Sequence, residues 1–124
     1  MAITTIKGSG KIPTIYRNTA LTNSVVQVSS VPIILTGINV INPNLGGVNA
    51  YVKFYDSTSA TLGTTAIVRT IYCGSGASVF IDATQFGQMY FGTAMCVAIT
   101  SGIADSDTAG FLSALHCEIS YQIA

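Results

Sequence analysis

Charged side chains are scarce in this sequence of 124 residues. Asp, Glu, Lys and Arg together make up 8% of the chain, whereas typical soluble domains carry about 25%. Charge and the absence of large apolar patches normally keep soluble proteins apart from one another. We therefore expect other subunits to cover much of the surface in the working state of the protein.

The few charges are also balanced, with five basic and five acidic residues and a formal net charge of zero. Proteins that bind nucleic acid need a basic surface for the phosphates, and this composition does not supply one. Apolar runs such as VPIIL and MCVAI are much shorter than the roughly 18 residues of a membrane-spanning helix. The first 18 residues lack the apolar core of a secretory signal. We expect cytoplasmic synthesis, and neither nucleic acid nor a membrane as a partner.

Cysteine and histidine are too few and too scattered for the usual metal or catalytic sites. Cys73, Cys96 and Cys117 fit neither a disulfide framework nor a C-x-x-C metal site, and we interpret them as small buried hydrophobic residues. The single histidine, His116, has Glu118 on the same face of a predicted strand. Because the sequence supplies no nucleophile for a triad, we interpret this pair as surface residues. The sequence predicts a protein that is not an enzyme and has no cofactor.

Thr, Val, Ile, Tyr and Gly are abundant, in short apolar runs that Gly, Asn, Ser and Pro clusters separate. This pattern is typical of an all-β sandwich or barrel. The alternation predicts strands over residues 24–31, 33–41, 48–55, 66–73, 77–82, 90–100 and 112–122. We predict an antiparallel β-sandwich of jelly-roll-like character over residues 24–124, with an extended N-terminal arm before it.

The predicted arm, residues 1–23, contains two lysines, one arginine and a GSG triplet without clear alternation. A terminal segment of this kind is either disordered or becomes ordered against a neighbouring subunit. For the second case the residues predicted to bind a partner are Lys7, Lys11, Ile12, Ile15, Tyr16 and Arg17.

The alternation in two of the predicted strands indicates which faces are buried in the core or otherwise covered. In AYVKFYD, alternation places Val52 and Phe54 in the core and Tyr51, Lys53 and Tyr55 on an aromatic outer face. Tyr51 and Tyr55 are therefore the predicted partner-binding residues of the sandwich itself. In MCVAIT both faces are apolar or small, so we expect this strand to be covered on both sides.

The loop TSGIADSDTA, residues 100–109, holds Asp105 and Asp107, two of the five acidic residues. An Asp-x-Asp pair could bind calcium, but the glycine and the glutamate that an EF-hand needs are not in register. Paired carboxylates for glycoside hydrolysis are a weaker alternative. Asp also accepts hydrogen bonds from backbone N–H groups nearby. We interpret the loop as a structural turn, with Asp105 and Asp107 as weak candidates for a metal site.

The succession YVKFYD, GTTAIVRTI, GASVFID and FGTAMCVAITSGIADSDTA resembles a class of small virion proteins of tailed bacteriophages. The resemblance covers residues 51–109, and the ADSDT loop is its most specific part. It implies a β-sandwich component of the virus particle, in the capsid cement, in a head fibre or in the tail.

From this resemblance and the low charge we expect a capsid cement or decoration protein that stabilises the head lattice of a virion. Its expected partners are the major capsid protein and copies of itself, in a homo-oligomer that is a trimer or else a dimer. The alternative is a tail-fibre or spike component that binds the host surface or another tail protein. In that case Tyr51 and Tyr55 could form a platform for a sugar, although the sequence has no tryptophan.

Overall fold

The computed structural model describes residues 3–6, 13–86, 88–110 and 114–124, which form two antiparallel β-sheets packed face to face. The elements in chain order are β1 (Ile3–Ile6), β2 (Thr14–Leu21), β3 (Val26–Ser29), β4 (Ile33–Ile41), β5 (Ala50–Tyr55), β6 (Arg69–Cys73), β7 (Ser78–Asp82), α1 (Ala83–Phe86), β8 (Met89–Phe91), β9 (Met95–Thr100) and β10 (Leu115–Ile123). Among the described residues, no helix is long and apolar enough to cross a membrane.

The larger sheet has the strand order β1-β2-β10-β4-β7, with β8 also paired to β4, and the smaller sheet has the order β3-β9-β5-β6. Strand β2 thus lies beside the last strand, and β3 lies beside the strand before the last. This nested order is that of a double-sheet jelly roll. The predicted all-β sandwich of jelly-roll-like character is therefore confirmed.

The core lies between the two sheets and is built from alternate residues of each strand. On β10, Leu115, Cys117, Ile119 and Tyr121 are buried and the residues between them are partly exposed, as the alternation predicts. Side chains from both sheets join in one apolar cluster, and burying each large apolar side chain contributes roughly 1.5–3 kcal/mol. All three cysteines are buried, which confirms their interpretation as small core residues.

The sandwich begins earlier than residue 24, so the predicted arm is wrong for residues 14–21. They form β2, which lies between β1 and β10 in the larger sheet. Tyr16, predicted to bind a partner, is buried with 3% of its surface exposed. The alternation is hidden in the sequence because two of the inward positions, Thr14 and Asn18, are polar. Strand β1 is the outermost strand, and all four of its residues are exposed.

The predicted strand over residues 90–100 is two strands that lie in different sheets. Strand β8 pairs with β4 in the larger sheet, and β9 lies between β3 and β5 in the smaller one. The turn between them is held by Asp56, whose carboxylate accepts hydrogen bonds from the N–H groups of Gly92 (3.0 Å), Thr93 (2.8 Å) and Ala94 (3.2 Å). One acidic side chain after β5 therefore fixes the point at which the chain changes sheets.

Candidate functional site

The outer face of the smaller sheet is largely covered by the protein's own loops. The side chains of Tyr55 and Cys96 point to this face and are buried against Leu62 and Ile67, which belong to the loop after β5. Cys96 Sγ donates a hydrogen bond to the carbonyl oxygen of Ser57 in the same loop (3.1 Å). The prediction that Tyr55 lies on an exposed face, available to a partner, is therefore wrong.

A second loop, residues 101–109, crosses the same face above Lys53. The Lys53 side chain is fully buried, and its Nζ donates hydrogen bonds to the carbonyl oxygens of Ala104 (2.6 Å) and Asp107 (3.4 Å). Burial lowers the pKa of Lys53, while the negative charges of Asp107 and Asp105 act in the opposite direction. Lys53 therefore lies on the outer side of the smaller sheet, as the alternation predicts, but it is covered there by the loop that it anchors.

Within this loop the two aspartates have different roles. Asp107 Oδ1 accepts a hydrogen bond from the N–H of Ala109 (2.8 Å), which confirms the predicted turn role for this residue. A Cβ atom at Gly102 would overlap the Asp107 carboxylate, so the close approach requires glycine there. Asp105 is exposed and accepts no hydrogen bond from the described residues. In the described part of the chain, no group of three His, Cys, Asp or Glu side chains is arranged to hold a metal ion.

Part of the smaller sheet's outer face stays accessible at its β6 edge. Tyr51, a predicted partner-binding residue, is half-buried, and its ring lies beside that of Tyr72, with ring centroids 5.3 Å apart and planes tilted by 52°. Tyr72 is 52% exposed. The pair is an accessible aromatic surface, although a small one.

The outer face of the larger sheet is accessible over most of its width. Strand pairing places on this one face five exposed apolar side chains from five different strands, namely Ile6, Ile15, Ile41, Phe80 and Tyr90. Phe80 and Tyr90 are the most prominent, at 64% and 65% exposure. We call this surface the open face. Because the other sheet is largely covered by its loops, the open face is the main candidate surface for a partner.

Charged groups on the open face are concentrated around Glu118. Its Oε2 accepts hydrogen bonds from Arg17 Nε and from His116 Nε2, both at 3.1 Å. The bond from His116, and then that from Arg17, lowers the pKa of Glu118. Exposed ion pairs of this type contribute about 0–1 kcal/mol to stability. The interpretation of His116 as a surface residue paired with Glu118 is confirmed.

A hollow of about 260 Å³ opens on the open face above Gly37. The pairing of β4 with β10 shifts at Thr36, so that Thr36 is the extra residue of a β-bulge. Its Oγ1 lies 2.9 Å from Ser120 Oγ at the side of the hollow. The walls include Ile15, Phe80, Asp82 and Glu118.

The predicted partner-binding residues are dispersed in the structure. Ile15 and Arg17 lie on the open face, Tyr51 is half-buried on the other sheet, and Tyr16 and Tyr55 are buried. The predictions for Lys7, Lys11 and Ile12 lie outside the described residues.

Phe80 and Tyr90 are surface residues that the alternation does not identify. In SVFID both alternating sets contain apolar residues, Val79 and Ile81 in one and Phe80 in the other, so periodicity does not decide which set faces the core. The signal that was available is the composition of the second set, which Ser78 and Asp82 make the more polar one.

Comparisons with protein-family models, with curated proteins and with solved structures give no match.

Proposed function

We propose that the protein is a non-enzymatic structural subunit that binds other protein subunits through the open face, as a capsid cement or decoration protein of a bacteriophage virion. The observation that carries this proposal is the contrast between the two sheets. The outer face of the smaller sheet is largely covered by the protein's own loops, whereas the open face presents isoleucine, phenylalanine and tyrosine side chains to solvent. Single exposed apolar side chains are common on soluble proteins, but five of them lie together on this one accessible face, and exposed apolar surface that is concentrated in this way is typical of interaction sites.

The dimensions of the open face fit such a role. The strands of the larger sheet contain 38 residues in all, and at about 3.4 Å per residue and about 4.8 Å between strands they give a projected area of roughly 600 Å². A stable protein–protein interface buries roughly 800 Å² on each partner. The open face, with small contributions from its rim, is therefore large enough to form one interface.

The composition of the open face also suits an interface. Aromatic residues and arginine are enriched at interface centres, and charged groups other than arginine are depleted there. Phe80 and Tyr90 supply the aromatic rings and Arg17 supplies the guanidinium group, while Thr36, Asn39 and Ser120 contribute uncharged polar groups. Desolvating these side chains costs less than desolvating a surface rich in charge.

The phage assignment rests on the sequence resemblance over residues 51–109, because a fold does not determine a function. Jelly rolls occur in viral capsid domains, and also in lectins and cupins. In a decoration role the protein would act by mass action: a subunit that binds only the assembled lattice stabilises that lattice by its binding free energy. Its partners would be the major capsid protein and copies of itself, in a trimer or a dimer on the symmetry axes of the capsid.

The direct test is a titration of the purified protein onto intact and expanded heads of the encoding phage, with the bound copies counted per particle. We expect saturation at a multiple of the icosahedral site number. The variant Phe80→Ser should weaken binding, whereas Tyr72→Ser, which changes another exposed aromatic residue on the other sheet, should not. If both variants bind like the unchanged protein, the open face is not the attachment surface.

One observation favours the alternative, a tail-fibre or spike component. The accessible pair Tyr51 and Tyr72 is a surface on which a sugar ring could stack, even though the predicted platform of Tyr51 and Tyr55 is not formed. Binding of only a few copies at one vertex, together with a signal on a glycan array that Tyr72→Ser abolishes, would establish this alternative and exclude the capsid role.

A further inference from the structure

The hollow in the open face has a carboxylate at each of two opposite corners. Glu118 stands on β10, Asp82 stands on β7, and β4 runs between these strands. Two of the five acidic residues of the chain therefore border one small cavity, although charge is rare elsewhere on the surface.

Each of these carboxylates has one oxygen occupied and one available. Both hydrogen bonds to the Glu118 carboxylate go to Oε2. Both bonds to the Asp82 carboxylate come from Thr84, from its N–H (2.9 Å) and its hydroxyl (2.6 Å), and go to Oδ1. The backbone N–H groups of Gln85 and of Asp82 itself also act on the Asp82 carboxylate and lower its pKa. Among the described residues, none makes a close hydrogen bond to Glu118 Oε1 or to Asp82 Oδ2, so each carboxylate keeps an acceptor oxygen for a donor from outside.

Both carboxylates are ionised at neutral pH. Hydrogen bonds from Thr84 lower the pKa of Asp82, and the bonds from His116 and Arg17 lower that of Glu118. Hydrogen bonds in which the acceptor is charged are shorter and stronger than neutral ones. A ligand of the hollow is therefore expected to carry a cationic donor.

The rest of the hollow is shaped for an apolar stem beside that cation. Gly37 forms the floor and Ile15 and Phe80 stand at the walls. At about 260 Å³, the hollow is smaller than the roughly 300–1,000 Å³ of pockets for drug-sized ligands. It fits one long side chain better than a whole small molecule.

Glycine at position 37 is not required by the backbone of β4. Its φ angle is not in the left-handed region, and a Cβ atom there would lie 3.7 Å from Ile81 O and 3.8 Å from Ser120 Cβ, which is ordinary van der Waals contact. Glycine inside a strand destabilises it relative to alanine and often marks a site where a ligand approaches the backbone closely. The effect of Gly37 is to keep the hollow open.

We propose that this hollow is the socket for an arginine side chain of the partner protein, a proposal that rests on the proposed function and specifies the partner's chemistry. The guanidinium group stacks on the Phe80 ring and donates to Asp82, and its aliphatic stem lies over Gly37 and against Ile15. Arginine fits better than lysine because its planar fork both binds carboxylates and stacks on aromatic rings. Arg17 already occupies the Glu118 corner, so the incoming cation binds at the Asp82 corner.

The test is an NMR titration of the full-length, ¹⁵N-labelled protein with the peptide acetyl-Gly-Arg-Gly-amide. The matched control peptide has citrulline, which is neutral and almost identical in shape, in place of arginine. We expect saturable shifts of the amides of Gly37, Phe80, Asp82 and Ser120 with the arginine peptide, and none with the citrulline peptide.

Three variants locate the binding in the hollow. Asp82→Asn removes the charge but keeps an acceptor for Thr84, and it should weaken peptide binding roughly threefold to tenfold, as expected for one accessible charged contact. Asp105→Asn makes the same change of net charge in a distant loop and should leave the affinity unchanged. Gly37→Val should fill the floor and abolish binding while the dispersion of the spectrum shows an intact fold.

Equal binding of the citrulline peptide, shifts that map elsewhere, or no saturable shift at all would each overturn the socket. Because the titration uses no virus particle, its failure is separable from failure of the proposed function. If Phe80→Ser loses head binding but the unchanged protein binds no arginine peptide, the open face is still the attachment surface and the arginine socket is wrong. Peptide binding by a protein that does not bind heads would retain the socket and reject the capsid role.

Discussion

At the scale of single residues, two buried tyrosines differ in what their hydroxyl groups meet. Tyr16 Oη accepts a hydrogen bond from Asn18 Nδ2 (3.2 Å), whereas Tyr55 Oη is buried with no hydrogen-bond partner among the described residues. Leaving a buried polar group unpaired costs about 1–3 kcal/mol. We predict that Tyr16→Phe lowers the free energy of unfolding by about 1–3 kcal/mol, because it leaves the buried Asn18 amide without this acceptor.

The matched variant Tyr55→Phe removes an unpaired hydroxyl and should raise the free energy of unfolding by about 1 kcal/mol. Urea unfolding of both variants beside the unchanged protein measures the difference. Equal destabilisation by the two variants would show that the Tyr55 hydroxyl has a partner, and would contradict this prediction.

A buried thiol gives a second prediction at this scale. Desolvation raises the pKa of Cys117 from 9.0 to about 12. Between these pH values the thiol stays protonated in the folded chain and ionises in the unfolded chain, so the stability that it contributes is present below pH 9 and is lost as the pH rises. One such group changes the free energy of unfolding by about 1.4 kcal/mol per pH unit.

We therefore expect the stability difference between the unchanged protein and Cys117→Ala to be constant from pH 7 to about pH 8.5 and to fall above pH 9. Urea unfolding under reducing conditions up to about pH 10.5 measures this difference. The other two thiols and the tyrosines other than Tyr16 contribute equally in both proteins and cancel, whereas Tyr16 titrates with a pKa that the Cys117 thiolate raises. A difference that does not change with pH would contradict a raised pKa at Cys117.

At the scale of elements, the loop over residues 101–109 depends on Lys53. In Lys53→Met the Nζ donor is lost, but so is the unfavourable burial of a charge, so the overall stability should change little. Locally, the carbonyl oxygen of Ala104 keeps its bond from the N–H of Asp107 (2.9 Å) and loses its charged donor. We predict that amide hydrogen exchange of Asp107 and Ala109 becomes about tenfold faster, because the loop opens more often.

The control for the Lys53 experiment lies in the other covering loop. The amides of Thr64 and Thr65 donate to the carbonyl oxygen of Thr61, and their exchange should not change. A uniform increase at all of these amides would mean that Lys53 stabilises the whole sandwich instead of one loop.

The N-terminal strands give a further prediction at this scale. Among the described strands, β1 pairs only with β2, and its residues are exposed, whereas β2 contributes Tyr16 and Leu21 to the core. We predict that a chain without residues 2–12 folds with nearly unchanged stability, and that a chain without residues 2–20 does not fold. Thermal unfolding followed by circular dichroism distinguishes these results, and a folded protein without residues 2–20 would restore the original prediction of an arm.

Sequence reasoning succeeds where one face of a strand is clearly apolar. The alternation predicts a strand over residues 33–41, the bounds that β4 has, and it identifies the buried set of β10 residue by residue. It fails for β2, because some inward-facing residues there are polar. It also fails for residues 90–100, because the turn inside this segment is held by hydrogen bonds to the carboxylate of Asp56, which is distant in the sequence.

The candidate site is less predictable than the fold for a physical reason. Alternation correctly separates Tyr51, Lys53 and Tyr55 from the core, but it contains no information on what lies above that outer face. Two long-range loops cover it, and the contacts that hold them join residues about 50 positions apart, such as Lys53 and Ala104. The open face is recognised only when both sheets are seen together.

At the scale of the whole molecule, the scarcity of charge in the sequence agrees with the exposed apolar side chains on the open face. A chain with zero net charge and exposed apolar side chains on one outer face has little electrostatic protection against association, so the free protein should associate with copies of itself or with another protein. The sheet that carries the open face ends at the exposed edge strand β1. A neighbouring subunit can therefore pack on the open face or pair with the free edge of β1.

Hydroxyl-radical footprinting of the protein, free and bound to phage heads, tests directly whether the open face is the attachment surface. Phe80 and Tyr90 on the open face and Tyr72 on the smaller sheet have similar exposure in the free protein, at 64%, 65% and 52%. We predict that binding strongly protects Phe80 and Tyr90 from oxidation and leaves Tyr72 as reactive as before. Protection of Tyr72 with Phe80 and Tyr90 unchanged would contradict it, and would place the attachment surface on the opposite sheet.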